Sequence, residues 1–232
     1  MSEDSSIVEA TDLKKDFKLG ETVVHAVRGV SFKIKRGGLC ALVGPSGSGK
    51  TTILDMIGCL SSPSSGRIRI DKEDPSVFSD SKLSWFRAEN IGFIFQTFNL
   101  IPVLSVFENV AYPLTLAKVP SQSVRERVTD ILGSVGLGKY LKHRPNELSG
   151  GQRQRVAVAR ALVKKPKIIL ADEPTANLDS KTGALILDLM RELNDKMDTT
   201  IIFATHDKLV MDRVDEMLML RDGKLMKDEE KT

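Results

Sequence analysis

Between an apolar run, Leu39 to Val43, and a helical run opening at Thr52, residues Gly44-Pro45-Ser46-Gly47-Ser48-Gly49-Lys50-Thr51 fill the pattern G-x-x-x-x-G-K-[ST]. A strand entering such a loop and a helix leaving it is the context a phosphate cradle requires. Glycines let the backbone curl and aim N–H groups inward where side chains would block a phosphate chain. The following helix adds its positive N-terminal end. Lys50 is expected to reach the terminal phosphates, and the Thr51 hydroxyl to ligate the Mg²⁺ that accompanies a nucleoside triphosphate. The motif constrains the fold as well, because it needs a buried strand feeding a helix over an open α/β sheet.

At 232 residues the chain could form one α/β domain or two small ones, and it is long enough to bury a substantial core. Its 34 basic and 31 acidic residues leave a net charge of +3, so no global field points to nucleic acid or anionic lipid. Cys40 and Cys59 sit in apolar stretches with no second thiol at metal-ligand spacing, and are expected to be reduced core thiols of a cytosolic protein. The amino terminus Met1-Ser-Glu-Asp-Ser-Ser is polar and acidic where a signal peptide would be basic and then apolar. No apolar run approaches the roughly 18 to 20 residues that span a bilayer, so work at a membrane would require a partner.

Ile7 to Ile34 alternates in pieces around a turn at Lys18-Leu-Gly20-Glu, which predicts antiparallel strands ahead of the P-loop. Phe17 in this region has two readings, a ring for stacking on a purine base or an edge-strand aromatic. His25 reads as a surface strand residue. Beyond the P-loop helix come a serine-rich loop at 61 to 65, a short strand Arg67 to Ile70, a helix Ser81 to Glu89 with Trp85 as a packing residue, and a buried strand Ile91 to Phe95.

From Thr97 to Asn146 apolar residues fall at helical spacing, with breaks expected at Pro102, Pro113, Pro120, Gly136 and Gly138. This predicts an all-helical insertion. Leu148-Ser149-Gly150-Gly151-Gln152 opens the next helix, whose Arg153, Arg155 and Arg160 read as a solvated face. Lys167 to Glu173 is a buried strand delivering two acids at its C-terminal end, the edge where open α/β sheets bind ligands. Asn177 to Ser180 caps a further helix, Thr200 to Thr205 is a buried strand ending on His206, and two short strands precede a polar tail, Lys227 to Thr232, that is expected to fray.

Three strands thus end on polar groups, Gln96, Asp172 with Glu173, and His206, and a parallel sheet would bring these ends beside the P-loop. The set suits phosphate hydrolysis. Asp172 can hold Mg²⁺ and Glu173 can polarise an attacking water as general base. Gln96 can bind metal or water, and His206 can hydrogen-bond the γ-phosphate.

With these motifs in place the chain resembles the ATP-binding subunits of ATP-binding-cassette (ABC) transporters over essentially its full length. Leu148 to Gln152 matches that family's signature, Gly44 to Thr51 its Walker A loop, and Lys167 to Glu173 its Walker B strand. Gln96 matches the Q-loop glutamine, Asn177 to Ser180 the D-loop, His206 the switch histidine and Phe17 the base-stacking position, which is more often Tyr. The resemblance implies an ATPase with ATP and Mg²⁺ as cofactors. Its fold would be a mostly parallel core sheet with an antiparallel part (1–96 and 154–232) and a helical signature subdomain (97–153). Nucleotide would be held by Phe17, Gly44 to Thr52, Ser149 to Gln152 and Asp179; Thr51, Gln96 and Asp172 would hold the metal.

It further implies a head-to-tail homodimer with ATP sandwiched between Walker A of one copy and the signature of the other. A helix N-terminus at Ser149 to Gly151 is an anion site that a chain with one phosphate cradle uses only in trans. Within the family, His143 to Gly151, Phe98 to Pro102 and Ala171 to Asp179 look most like the group of LolD, MacB and FtsE. Such a subunit would lie on the inner face of the cell membrane, held by an integral-membrane permease. The first residues of Phe98 to Leu116 are expected to line the groove for that partner, so a charge at Leu100 or Val103 should uncouple it. A nucleic-acid-directed ABC ATPase would carry two cassettes or a long coiled-coil insertion. A GTPase would carry Asn-Lys-x-Asp, and a dead regulatory subunit would lack Glu173 or His206.

Overall fold

The computed structural model describes residues 6–226, so the expectations for the acidic amino terminus and for the tail 227–232 lie outside the described residues. Ser6–Leu19 (β1) and Thr22–Lys35 (β2) pair antiparallel around Gly20 and Glu21. The separate alternating pieces of the sequence are therefore two continuous strands. Register shifts between Ala10 and Leu13 and between Lys15 and Asp16 absorb the breaks in alternation.

Leu39–Val43 (β3) is buried at every residue and runs through the P-loop into Lys50–Ile57 (α1). Ser65–Ile70 (β4) returns beside β1 to give a three-stranded sheet, β2-β1-β4. Asp80–Asn90 (α2), Ile91–Ile94 (β5), Val106–Leu116 (α3), Ser121–Ser134 (α4) and Gly150–Leu162 (α5) follow. The chain continues through Ile168–Asp172 (β6), Ser180–Met197 (α6), Thr200–Thr205 (β7), Lys208–Met211 (α7), Glu216–Arg221 (β8) and Lys224–Leu225 (β9).

The core sheet has the order β5-β6-β7-β3-β8-β9, parallel throughout except for the final β8/β9 pair. Its central strands are buried on both faces, which is why they read as unbroken apolar runs. Alternation sorts them. Leu39, Ala41, Val43, Ile169, Ala171, Ile201 and Phe203 face a core completed by α3, α4, α5 and α6. Cys40, Leu42, Ile168, Leu170, Ile202 and Ala204 face a second core completed by α1 and the antiparallel sheet. A fully buried side chain such as Phe203 contributes about 1.5–3 kcal/mol. This is the P-loop α/β fold expected, with α3 and α4 inserted between β5 and α5.

Asp71 ties the two sheets together at the edge away from the P-loop. It follows β4 and accepts from Arg36 after β2 and, at 2.6 Å, from Lys167 before β6. Asp215, before β8, takes both arms of Arg191 from α6 at 2.8 and 2.9 Å and accepts from Leu39 N at 2.7 Å.

Three local expectations are corrected. Pro113 does not break the helix but lies inside α3, where the buried Val106, Val110, Ala111 and Leu114 hold the helix against the core despite the missing N–H. Trp85 is not a packing residue; it is 62% exposed on α2. The α5 arginines do not form a solvated face. All three are half-buried: Arg155 donates to Val135 O at 3.0 Å, Arg153 lies over the Phe98 ring, and Arg160 donates to the carbonyls of Phe98 and Asn99.

Candidate functional site

The parallel register brings the C-terminal ends of β3, β5, β6 and β7 to one edge, and there Ser46, Gly47, Gly49, Lys50, Thr51, Thr52, Gln96, Asp172, Glu173 and His206 line a single cleft of about 460 Å³. Most of the chemistry-bearing residues singled out in the sequence are thus gathered together.

The P-loop is shaped by close approach. A Cβ on Gly44 would stand 2.2 Å from Leu220 O of β8, so only glycine lets the loop leave β3 there. Gly49 has φ +101 and faces Ala26 O, where a Cβ would come within 2.7 Å. Gly44 and Pro45 do not line the cleft. Their carbonyls accept from Lys50 Nζ at 2.7 and 2.9 Å, which fixes the ammonium of this buried lysine, 7% exposed, against the loop. Ser48 is buried beneath, its N–H donating to Pro45 O and its carbonyl accepting from Gly223 N.

Thr51 Oγ1 stands 3.3 and 3.4 Å from the two oxygens of Asp172. Burial pushes the Asp172 carboxyl above its ordinary range, the Thr51 contact lowers it, and the neighbouring Glu173 charge adds to the rise. A hydroxyl and a half-buried carboxylate that face each other form the oxygen donor set a hard divalent cation takes, and the added positive charge would relieve the strain on Asp172.

Glu173 turns sharply out of β6, with φ +44, and its N–H is pinned to Ala204 O at 3.0 Å. Its carboxylate is held from two sides. Thr205 Oγ1 donates to Oε2 at 3.0 Å, and His206 Nδ1 lies 2.7 Å from Oε1. The imidazole is otherwise open to the cleft, its side chain 70% exposed against 15% for Glu173. On the opposite wall Gln96 O accepts from Asn177 Nδ2 at 2.7 Å, tying the end of β5 to the segment before α6.

The signature residues stand outside this cleft. Ser149 N-caps α5 in a capping box with Gln152: Ser149 N donates to Gln152 Oε1 at 2.9 Å and Gln152 N to Ser149 Oγ at 3.3 Å. Gly150 abuts Leu178, and a Cβ on Gly151 would lie 2.5 Å from Thr182 of α6. Asp179 caps α6 in turn, accepting from Thr182 N and Oγ1 at 3.0 and 2.6 Å. Those bonds hold its carboxyl below the usual range. Phe17 does not line the cleft either. It is 41% exposed on β1 opposite Val24, with Lys15 Nζ 5.2 Å from its ring centroid. The β2 residue that does reach the cleft is Ala26.

Ala26 and Thr205 shape this cleft and lie outside the site the sequence predicts, and Asn177, which the resemblance places only in the D-loop, bonds the Gln96 carbonyl. Nothing marks an alanine in a strand as a wall. Thr205 and Asn177 were visible as neighbours of His206 and Asp179, but their partners lie 32 and 81 residues away.

The family model described as "ABC transporter" matches residues 27–176. An uncharacterized ABC transporter ATP-binding protein of Thermotoga maritima is 46% identical over 219 residues, covering 94% of this chain and 93% of its own. The macrolide export ATP-binding/permease protein MacB of Syntrophobacter fumaroxidans is 44% identical over 94% of this chain, which spans 31% of that longer protein. The lipoprotein-releasing system ATP-binding protein LolD of Legionella pneumophila is 42% identical, covering 94% of this chain and 96% of its own. The solved dimeric cassette of Methanocaldococcus jannaschii, in a post-hydrolysis state with ADP and Pi bound, superposes with a TM-score of 0.86 at 41% identity over 95% of this chain and 97% of its own.

Proposed function

From the premise that this chain belongs to the ABC transporter ATP-binding family, and is an ATPase, we propose that it powers a membrane complex of the LolD/MacB kind by closing on ATP as a dimer and reopening after hydrolysis. One observation carries this reading. Lys50, Thr51, Gln96, Asp172, Glu173 and His206 converge on one cleft, while the helix-opening Ser149 to Gln152 stand apart from it in the same chain.

The ATP phosphates lie along the P-loop amides and the N-terminus of α1, with Lys50 turning from its two carbonyls to the terminal phosphates. Thr51 and Asp172 would hold Mg²⁺, which would supply neutralisation of charge on the phosphate oxygens. Glu173, fixed by Thr205, accepts a proton from the attacking water as its oxygen adds in line to the γ-phosphorus and the bond to the β–γ bridging oxygen breaks, so that ADP leaves with that electron pair. His206 hydrogen-bonds the γ-phosphate while bracing Glu173, and Gln96 positions the water or the metal from the opposite wall. Phe17, outside the phosphate cleft but 41% exposed on β1, would offer its ring to the base.

Ser149 to Gln152 and Asp179 act on the nucleotide of the partner copy. The capping box takes up the N–H groups of Ser149 and Gln152 and sets the helix start at which Gly150 and Gly151 present theirs, away from the cleft of their own chain, which supports a head-to-tail sandwich; the M. jannaschii relative is dimeric. The test is a Glu173→Gln protein on a sizing column. A dimer with ATP and a monomer without it is expected, and a monomer under both conditions overturns the sandwich.

Residues 97–153 would then act as the helical signature unit against the core 1–96 and 154–232. A permease would hold the protein at the inner face of the cell membrane, as its likeness to LolD and to the ATP-binding part of MacB supports; among the described residues no helix is long and apolar enough to cross a membrane. A groove of about 740 Å³ lined by Trp85, Phe93, Phe95, Asn99, Tyr112 and Leu116 suits a helix of that partner. Its Trp85 and Leu116 are large apolar side chains left exposed, 62% and 66%. Lipoprotein release or efflux is the favoured role, with an FtsE-like role in division as the second reading. Capture of the ATP-trapped Glu173→Gln form from native membranes, with Lys50→Ala as control, should recover a permease with few membrane helices and a large extracytoplasmic domain. Recovery of a many-helix permease would overturn the group assignment.

A further inference from the structure

The three residues after Gln96 form a turn that its own sequence does not favour. Phe98 and Asn99 both have left-handed backbone, φ +62 and +47, and a ring-bearing residue seldom adopts that region unless something holds it there. The local bonds are few: Phe98 N donates to Phe95 O, Asn99 N to Thr97 O, and Thr97 Oγ1 to Asn99 Oδ1. The rest comes from α5. Arg160 Nη2 donates to Phe98 O at 2.8 Å and Nη1 to Asn99 O at 2.5 Å, and Arg153 lies over the Phe98 ring at 5.2 Å. Positions 153 and 160 are seven apart, two helical turns, so one face of α5 grips the turn twice.

We propose that Arg160 is a positioning residue for ATP hydrolysis: its guanidinium fork holds the Phe98-Asn99 turn and so sets where Gln96 stands in the nucleotide cleft. The fork suits this role. Its planar N–H pair spans two successive carbonyls, which a lysine ammonium cannot do from one fixed direction. Arg160 also lines the apolar groove together with Asn99 and Phe95, so an occupant of that groove presses on the same fork. The helix opened by Ser149 to Gln152 is thereby tied through Arg160 to the turn that follows Gln96. The inference rests on the reading of Gln96 as a group that positions the water or metal.

A double-mutant cycle tests it, with steady-state ATPase of the full chain as readout and Mg-ATP binding and thermal midpoint as controls. Gln96→Ala should lower kcat about tenfold or more. Arg160→Gln should lower kcat by a similar factor with KM for ATP within about twofold, and Arg160→Lys should fall between it and wild type. In the Gln96→Ala background, Arg160→Gln should cost less than about a further twofold, because the group it positions is gone. If the two losses multiply instead, Arg160 acts elsewhere and the proposal is overturned while the reading of Gln96 stands. If Gln96→Ala leaves kcat unchanged, that reading fails and takes the proposal with it. Should Arg160→Gln fail to fold, the same cycle is run with Arg160→Lys.

Discussion

His206 Nδ1 lies 2.7 Å from Glu173 Oε1, and the adjacent Thr205 hydroxyl takes the other carboxylate oxygen at 3.0 Å, so two neighbouring residues at the end of β7 fix one acid at the end of β6. The acid is aimed rather than merely present. Replacing Glu173 by Gln removes the proton acceptor but keeps the shape, and should lower kcat by about 10²–10⁴ with ATP binding retained. Thr205→Val should cost far less, about tenfold, since it loosens the carboxylate without removing it. Single-turnover ATPase with a separate nucleotide-binding assay distinguishes the two.

Lys50 is buried against Gly44 O and Pro45 O, which makes it part of the loop's own structure. Lys50→Ala should abolish nucleotide binding and also leave two loop carbonyls short of a donor, costing about 1–3 kcal/mol. Titration with a fluorescent ATP analogue and thermal melts check both parts. Unaltered ATP affinity would contradict the cradle.

Asp71 joins both sheets. Hydrogen bonds from Lys167 and Arg36, against the opposing cost of burial, hold its carboxyl below the usual range. A lowered folded pKa stabilises the protein fully above the unfolded value of about 4 and loses that contribution as pH falls through the folded value. Asp71→Asn should therefore be less stable by about 1–2 kcal/mol at neutral pH, between an exposed and a buried pair, and the difference should vanish in acid. Urea melts of both proteins at pH 7 and at the acid end test the sign.

Burial pushes the Cys40 thiol up to about 12 and that of Cys59 up to about 11. Neither forms a thiolate at pH 8, and both are buried. The folded protein should resist alkylation at both positions and take up two equivalents of reagent only on unfolding. Mass spectrometry before and after denaturant counts them.

Neither Leu100 nor Val103 lines the groove: Leu100 is partly buried against the main core, so a charge there would act on folding, and Val103 is 73% exposed, whereas Leu116, 66% exposed, lines the groove and is the better probe. Leu116→Glu should leave basal ATPase and thermal midpoint near wild type, surface changes usually lying within about 0.5 kcal/mol, while abolishing stimulation by the partner. Loss of basal activity with a lowered midpoint would instead mark a folding defect.

The sequence by itself determined the strand and helix types and the phosphate loop, because these depend on local spacing. G-x-x-x-x-G-K-[ST] between an apolar run and a helix, and acids at the end of a buried strand, can each be read within a dozen residues. It also determined the helix start at Leu148 to Gln152, whose capping box joins donor and acceptor three residues apart. Tertiary structure decided the rest, because the partners are remote and chemically ordinary. That Thr205 braces Glu173, that Asn177 meets the Gln96 carbonyl, and that Ala26 walls the cleft follow from the strand order β5-β6-β7-β3 and from how the antiparallel sheet lies over α1. The α5 arginines show the difference most plainly. Charge spacing read them as solvent-facing, but a guanidinium can bury its fork against backbone carbonyls, and only the packed chain puts the strained carbonyls of Phe98 and Asn99 within its reach.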